Sequence, residues 1–222
     1  MTLFNCPEIR DVHNMLSILR ELGVESYYDG DALKISGRNA RSSPMPQRLS
    51  KELRSSIFML GPLLSRFGEA VCAYPGGCEI GHRPVDLHLK GLAALGADIR
   101  EERGYIICDG HNMHGGEIHL DYPSVGATEN IMMAAAAVPG DTVITNSARE
   151  PEIEELQNFL NSIGGDIRGA GTSTIYIKGG MEEVPAAAHR IMPDRIAAGT
   201  LMCAVAMLSL IHISEPTRLD VI

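Results

Sequence analysis

The residues with the clearest chemical potential lie in Tyr74-Pro75-Gly76-Gly77-Cys78-Glu79-Ile80-Gly81-His82-Arg83. Three glycines give this stretch access to positive φ and to mobility. Cys78 stands between Gly77 and Glu79, off any apolar face. Arg83 and Pro84 open a helical pattern, with Pro suited to a first turn. A helix N-terminus with a guanidinium beside it is a ready anion site, and a thiol near both has its thiolate favoured. Cys78 and Arg83 thus read as a reactive sulfur next to a phosphate or carboxylate clamp. The alternative is an inert cysteine in an ordinary Pro-Gly-Gly turn.

Weaker candidates follow. Asp121 to Thr128 places Ser124, Val125 and Gly126 at a helix start, where free N–H groups either hold a diphosphate or simply form a capped helix. Arg54 opens an apolar helix from a polar first turn, which makes solvated surface its default. His111 and His114 lie in a Gly-rich turn with the wrong spacing for a helical ligand pair, so no metal site is expected. Cys72, Cys108 and Cys203 read as core filler, Met132, Met133 and Met202 as helix core, and Arg149-Glu150-Pro151-Glu152 as a helix start.

An internal repeat supplies the elements that position these residues. Three segments carry apolar residues at helical spacing and end in glycine: Val12, Met15, Leu16, Leu19, Leu22, then Gly23; Val85, Leu89, Leu92, Leu95, then Gly96; Ile153, Leu156, Leu160, Ile163, then Gly164. After each glycine comes a strand, a tight turn and a strand, the turns falling at Asp29-Gly30, Arg103-Gly104 and Gly169-Gly171. A second helix recurs over 54–67, 126–138 and from Asp194 onward, and the first two lead through a glycine into strands. One unit is therefore helix, strand, helix, hairpin. The expected fold is α/β, with three similar units around the most apolar helices, such as the IMMAAAAV segment. From Gly140 to Ile153 is 13 residues and from Gly68 to Val85 is 17, so the second unit carries about four extra residues, within the Cys78 loop. Insertions in one copy of a repeat go to surface loops and often carry function.

The repeat also bears on the ends. Thr2-Leu3-Phe4-Asn5 matches a mid-unit strand, and a further unit begins near Asp194 and stops, so the chain reads as cut inside a unit at both ends. Residues 208–222 continue no part of the repeat; the stretch LSLIHISEPTR resembles a translated transposon adapter used in sequencing libraries, and a non-native tail is expected there.

Composition excludes several classes. Of 222 residues, 19 are Lys or Arg and 28 Asp or Glu, a formal net charge of −9, which argues against a general nucleic-acid binder. The longest apolar run, 201–213, is too short for the roughly 20 residues that span a bilayer, and the N-terminus lacks the pattern of a signal peptide. Five cysteines without a CxxC pair read as free thiols of a reducing, cytoplasmic compartment.

The segments RSSIFMLGPLLSRFG, PGGCEIGHRPVDLHLKGLAALGA, SVGATENIMMAAAAVPGDTVITNSAREPEI and MPDRIAAGT closely resemble the UDP-N-acetylglucosamine 1-carboxyvinyltransferase family of enolpyruvyl transferases, over essentially residues 1–207. The resemblance implies an inside-out α/β barrel domain of three repeated units, truncated at both ends, with residues 1–190 most of one domain and 191–207 the first helix of a second. It implies transfer of the enolpyruvyl group of phosphoenolpyruvate to the 3-hydroxyl of UDP-N-acetylglucosamine, through a tetrahedral intermediate and with no cofactor, as a step of peptidoglycan synthesis. Cys78 matches the family's loop cysteine, the proton donor to the methylene carbon and the thiol that fosfomycin alkylates. Arg83 matches a phosphate contact; Arg54, Arg83, Pro84, Val85, Asp86, Leu87, Tyr122, Ser124, Val125 and Gly126 match nucleotide-sugar contacts. Tyr122 departs from the pattern, since some members carry a lysine there and a neutral ring offers a diphosphate no charge. The family's N-terminal Lys-Asn pair and most of its second domain have no counterpart, so the chain alone is expected to be inactive. The competing expectations are an enolpyruvyl transferase acting on shikimate 3-phosphate, and a non-catalytic nucleotide-sugar-binding paralogue.

Overall fold

The computed structural model describes residues 1–41, 44–45, 47–75, 85–182 and 185–208. It divides into two compact units, Met1–Ile191 and Met192–Ile222.

The first unit shows the repeat as three separate sheets rather than a closed barrel. In the first sheet, β1 (Thr2–Phe4) lies parallel to β11 (Ala188–Arg190) and antiparallel to β3 (Ala32–Ser36), which pairs with β2 (Glu25–Asp29). In the second, β4 (Glu69–Ala73) pairs with β6 (Tyr105–Asp109) of the hairpin whose other strand is β5 (Asp98–Glu102). In the third, β8 (Asp141–Thr145) lies parallel to β7 (Glu117–His119) and antiparallel to β10 (Thr174–Lys178), itself paired with β9 (Asp166–Arg168). Equivalent residues occupy equivalent registers: Leu3 faces Leu33, Cys72 faces Ile106, and Ile144 faces Ile175.

The likeness extends to single atoms. Asn5 and Asn146, each directly after its strand, both adopt left-handed backbone with φ of 58° and 56°. The Asn5 amide donates to the Ile191 carbonyl at 2.9 Å and the Asn146 amide to the Leu120 carbonyl at 2.8 Å. Asparagine tolerates this conformation better than most side chains and here ties the end of one strand to its parallel neighbour. Among the described residues the second sheet shows no such pair; there Met45 N donates to the Val71 carbonyl at 3.0 Å.

The three striped helices form where expected, as α1 (Arg10–Glu21), α4 (Asp86–Ala94) and α6 (Pro151–Ser162), and Gly23, Gly96 and Gly164 follow them at φ of 84°, 93° and 108°. The helix expected over 54–67 forms in two pieces: a 3-10 helix, Arg54–Met59, then α3 (Leu60–Phe67). Pro62 accounts for the break, because it lacks an N–H and its ring crowds the carbonyl four residues back, so α-helical bonding restarts with Pro62 in the first turn. A short α2 (Gln47–Glu52) precedes this pair.

The helix with the alanine run, α5 (Val125–Ala137), is the axis of the core: Ala127, Ile131, Met132, Ala134, Ala135 and Ala136 are fully buried. Small residues let its neighbours approach. A Cβ on Gly61 of α3 would lie 2.5 Å from the Asn130 carbonyl oxygen, and one on Gly91 of α4 would lie 2.2 Å from Ile131 Cδ1. The second unit contains α7 (Arg195–Met207), started by Asp194, whose carboxylate accepts from the Ile196 and Ala197 N–H groups at 2.8 and 3.0 Å. Two core assignments fail there: Cys203 is exposed and Met202 is 73% exposed. Sequence periodicity reports an apolar helix without reporting what covers it, and no side chain of α7 is buried.

Gly61→Ala therefore destabilises the chain by about 2 kcal/mol or more, since its methyl meets backbone that cannot rotate away. Gly30→Ala, with open space around its Cβ but φ of 63°, costs about 1 kcal/mol. Urea midpoints of both variants check this, and equal midpoints would contradict the close packing of α3 on α5.

Candidate functional site

Of the sequence-predicted site residues, Cys78, Arg83 and Pro84 lie outside the described residues. The flanks of their loop are described. On one side Tyr74 N donates to the Gly104 carbonyl at 3.0 Å and the Tyr74 hydroxyl donates to Glu101, which pushes the phenol up to about 12. On the other side Val85, 6% exposed, caps α4. The loop thus joins the end of a core strand to the start of a core helix.

The described candidates gather around a residue that the sequence reading passed over, His88. It sits in the first turn of α4, 7% exposed. Its ring meets Phe58 of the 3-10 helix edge-on, with centroids 5.6 Å apart. A Cβ on Gly126 would lie 3.1 Å from His88 Cε1 and from Phe58 Cζ, so glycine at that position lets α5 start against the ring. Burial, then the Arg54 guanidinium, push the imidazole down to about 4, while Asp86 acts in the opposite sense. Arg54, Asp86 and Gly126 therefore surround one neutral histidine.

Two helix N-termini meet here, those of α4 and α5. Ser124 caps α5, its hydroxyl accepting from Ala127 N at 3.4 Å. In the first turn of α4 His88 N donates to the Val85 carbonyl at 3.0 Å, and both helix dipoles present positive ends. Ser124, Val125 and Gly126 are half-buried, as is Arg54. The side chains of Val85 and Leu87 are in the core, so these two positions offer backbone only. Tyr122 is 49% exposed, on the rim beside Lys90. Lys90 is the cation at that edge, and its ammonium is held by Asp121 at 2.6 Å, with Asp86 at 4.0 Å. A half-buried guanidinium with two helix N-termini suits a phosphate or diphosphate ligand.

Two of the other thiols are unsuited to chemistry. Burial pushes Cys72 up to about 11 and Cys108 up to about 12, leaving both neutral at physiological pH. His111 pairs with Asp109 at 2.8 Å and His114 Nδ1 contacts the Gly115 carbonyl, so their rings serve separate local bonds. Among the described residues no group of three or more His, Cys, Asp or Glu could hold a metal. No helix among them is long and apolar enough to cross a membrane.

The sequence could have shown His88 in one way: at 88, 91, 92 and 95 it shares the apolar stripe of α4, where a polar side chain needs a buried partner. Asn130, just before the most apolar run of α5, carries the same signal.

Residues 1–216 match the family model described as EPSP synthase (3-phosphoshikimate 1-carboxyvinyltransferase). The chain belongs to this enolpyruvyl transferase family. Relatives in the family include UDP-N-acetylglucosamine 1-carboxyvinyltransferase 2 of Caldanaerobacter subterraneus subsp. tengcongensis, 52% identical over 205 residues, which are 92% of this chain and 49% of the relative. UDP-N-acetylglucosamine 1-carboxyvinyltransferase 1 of Carboxydothermus hydrogenoformans is 50% identical over 204 residues, 92% of this chain and 48% of the relative. The chain spans about half the length of the curated relatives it matches. Among solved structures, the enolpyruvyl transferase NikO from Streptomyces tendae aligns with a TM-score of 0.79 at 24% identity, over 91% of this chain and 48% of that one. EPSP synthase from Acinetobacter baumannii aligns at 0.70 and 20%, over 93% and 47%. These two establish the shared α/β fold.

Glu129, in the first turns of α5, is pushed up to about 7 by burial and then by Glu152 and Glu150. Above pH 7 the folded chain carries a buried charge that the unfolded chain holds in water. Between the ordinary carboxylate value and 7, only the folded form keeps the proton, so this contribution to stability grows as pH falls through that window. Glu129→Gln accordingly stabilises the chain by about 2–3 kcal/mol at pH 8 and by under about 1 kcal/mol at pH 5. Denaturant midpoints at the two pH values check this; a gain independent of pH would contradict it.

Proposed function

We propose that this sequence serves the transfer of the enolpyruvyl group of phosphoenolpyruvate to the 3-hydroxyl of UDP-N-acetylglucosamine, releasing phosphate. The observation that carries the reading is the convergence of Arg54 with the N-termini of α4 and α5, in a chain about 50% identical to relatives bearing that activity's name. The nucleotide sugar's diphosphate then lies across the first turns of α4 and α5, with Arg83 on the phosphate of phosphoenolpyruvate. Two anionic substrates are held by fixed donors, which act without reorganisation during the reaction.

In the addition step the sugar oxygen bonds to C2 of phosphoenolpyruvate and loses its proton, while C3 gains a proton from the Cys78 thiol. In the elimination step C3 returns a proton, the C2–O bond to phosphate breaks, and the enol ether double bond reforms. A positioned acid is what such an addition requires. The product is a peptidoglycan precursor, made in the cytoplasm. The relatives are about twice as long as this chain, and in this reading the base for the sugar hydroxyl belongs to the half that it does not match. The 222-residue chain therefore binds the nucleotide sugar without completing turnover.

The second reading, action on shikimate 3-phosphate, is favoured by the description of the family model. The Pro-Gly-Gly-Cys loop and the names of the relatives favour the amino sugar. Fosfomycin separates the readings by mass spectrometry. Incubated with the chain and UDP-N-acetylglucosamine, it is expected to add one adduct at Cys78, and markedly less without the nucleotide. Labelling promoted by shikimate 3-phosphate instead, or none at Cys78 under any condition, would contradict the proposal. Release of phosphate from phosphoenolpyruvate by the purified chain would contradict its predicted inactivity.

A further inference from the structure

The internal repeat lets one helix contact be compared with its counterpart elsewhere in the molecule. Counted back from Gly96 and Gly164, which follow α4 and α6, His88 and Gly91 of α4 correspond to Leu156 and Phe159 of α6. His88 and Gly91 are where α4 receives α5: His88 Nδ1 lies 3.2 Å from Asn130 Nδ2, and a Cβ on Gly91 would lie 2.2 Å from Ile131 Cδ1. On α6 the corresponding Leu156 and Phe159 instead line an open apolar groove, together with Leu3, His189 and Ile191. The strands agree. Asn5 matches Asn146, so Leu3 matches Ile144, and the carbonyls that accept the two amides match Ile191 with Leu120. Ile144 and Leu120 are buried, and α5 packs on both α4 and β8. Leu3 and Ile191 are only half-buried. The seat that α5 fills on α4 and β8 is thus formed a second time by α6 and β1.

A helix built like α5 suits this groove, and α7 is one. Both helices run 13 residues from an N-cap whose side chain accepts a backbone hydrogen bond, Ser124 for α5 and Asp194 for α7. Aligned on these caps, Ala127, Ile131, Met132 and Ala134 of α5 correspond to Ala197, Leu201, Met202 and Ala204 of α7. The four α5 residues are fully buried, whereas no side chain of α7 is buried and Leu201 is 67% exposed.

Charge agrees with shape. Glu152 and Glu155 stand on the groove, and Glu150 and Glu152 both act on Glu129 nearby, so this rim is acidic. The single charge of α7 is Arg195, in its first turn, and no acidic residue lies between Arg195 and Met207. The start of α5 lies against His88, where a Cβ on Gly126 would be 3.1 Å from the ring. The counterpart of His88 is Leu156, one turn along α6 from Glu152. A helix seated in the groove as α5 is on α4 therefore brings its first turn, and so Arg195, to Glu152.

We infer that the groove takes α7 of a second copy of this chain, each copy giving its helix and receiving its partner's in a reciprocal dimer. Two equal interfaces about a twofold axis close the assembly at two copies. The α5-like face of α7, with Leu201 and Met202, then leaves water, as does the groove floor. The inference is independent of the nucleotide-sugar reading, because none of Arg54, Asp86, His88 or Ser124 lines the groove.

Sedimentation velocity of the unmodified chain is expected to show a concentration-dependent dimer and nothing larger. A monomer at all concentrations, which includes docking of α7 within its own chain, overturns the inference, as do open-ended oligomers. Leu201→Asp alters the helix and Leu156→Asp the groove, and each alone is expected to weaken the dimer about tenfold or more. Mixed together, the two variants are expected to pair again, because the intact helix of the Leu156→Asp chain enters the intact groove of the Leu201→Asp chain. Single variants that remain fully dimeric contradict the inference. So does a mixture that stays monomeric, which is the result expected of two α7 helices pairing face to face. If Leu156→Asp fails to fold, charge exchange decides: Arg195→Glu is expected to weaken the dimer about threefold, and Glu152→Lys added to the same chain to restore it. Absence of either effect then overturns the inference.

Discussion

One buried amide holds the site together. Asn130 on α5 bonds the Gly61 N–H where α3 begins, the Ile57 carbonyl in the 3-10 helix, and the His88 ring on α4. The 3-10 helix with α3 on one side and α4 on the other are thereby fixed to α5 through a side chain with no solvent exposure. Removing either partner would strand a buried donor or acceptor, so the arrangement is sharply specified rather than merely compact. Close helix contact is its precondition: glycine at 61, 91 and 126 gives the room that the amide, Ile131 and the His88 ring occupy. The approach of Arg54 and of two helix N-termini to one place is a consequence of that packing.

Much of the fold could be read from residue spacing because the repeat states each element three times. Apolar positions at helical intervals, a closing glycine and a two-stranded turn recur, and the structure places helix, left-handed glycine and hairpin at each. Periodicity of this kind is local, and burial of one face enforces it. The matching of Asn5 with Asn146 went deeper than the sequence reading could see: the letters agree, but the left-handed backbone and the bond to the neighbouring strand need coordinates.

The departures have physical causes of the same order. Pro62 splits the expected second helix, although proline in a first turn and proline that breaks a helix look identical in sequence until the start is known. Met202 and Cys203 look like core by composition, yet α7 exposes them. Composition reports what a face could bury and not whether it does. His88 was legible only as a polar interruption of an apolar stripe, since its meaning depends on Asn130, 42 residues away. Arg54, whose default reading was solvated surface, is half-buried and depresses the histidine. At Tyr122 the missing charge has a neighbour in Lys90, which nothing in the local sequence would associate with it.

The central claim is that the face formed by Arg54 and the starts of α4 and α5 receives a nucleotide sugar. Backbone amide shifts of the labelled chain, followed during titration with UDP-N-acetylglucosamine, test it most directly. The account predicts that the largest shifts cluster at Arg54, at Asp86 to His88 and at Ser124 to Ala127. Shifts concentrated instead at the open apolar groove lined by Leu3, Leu156, Phe159 and Ile191, or an absence of shifts at both helix starts with saturating ligand, would contradict it.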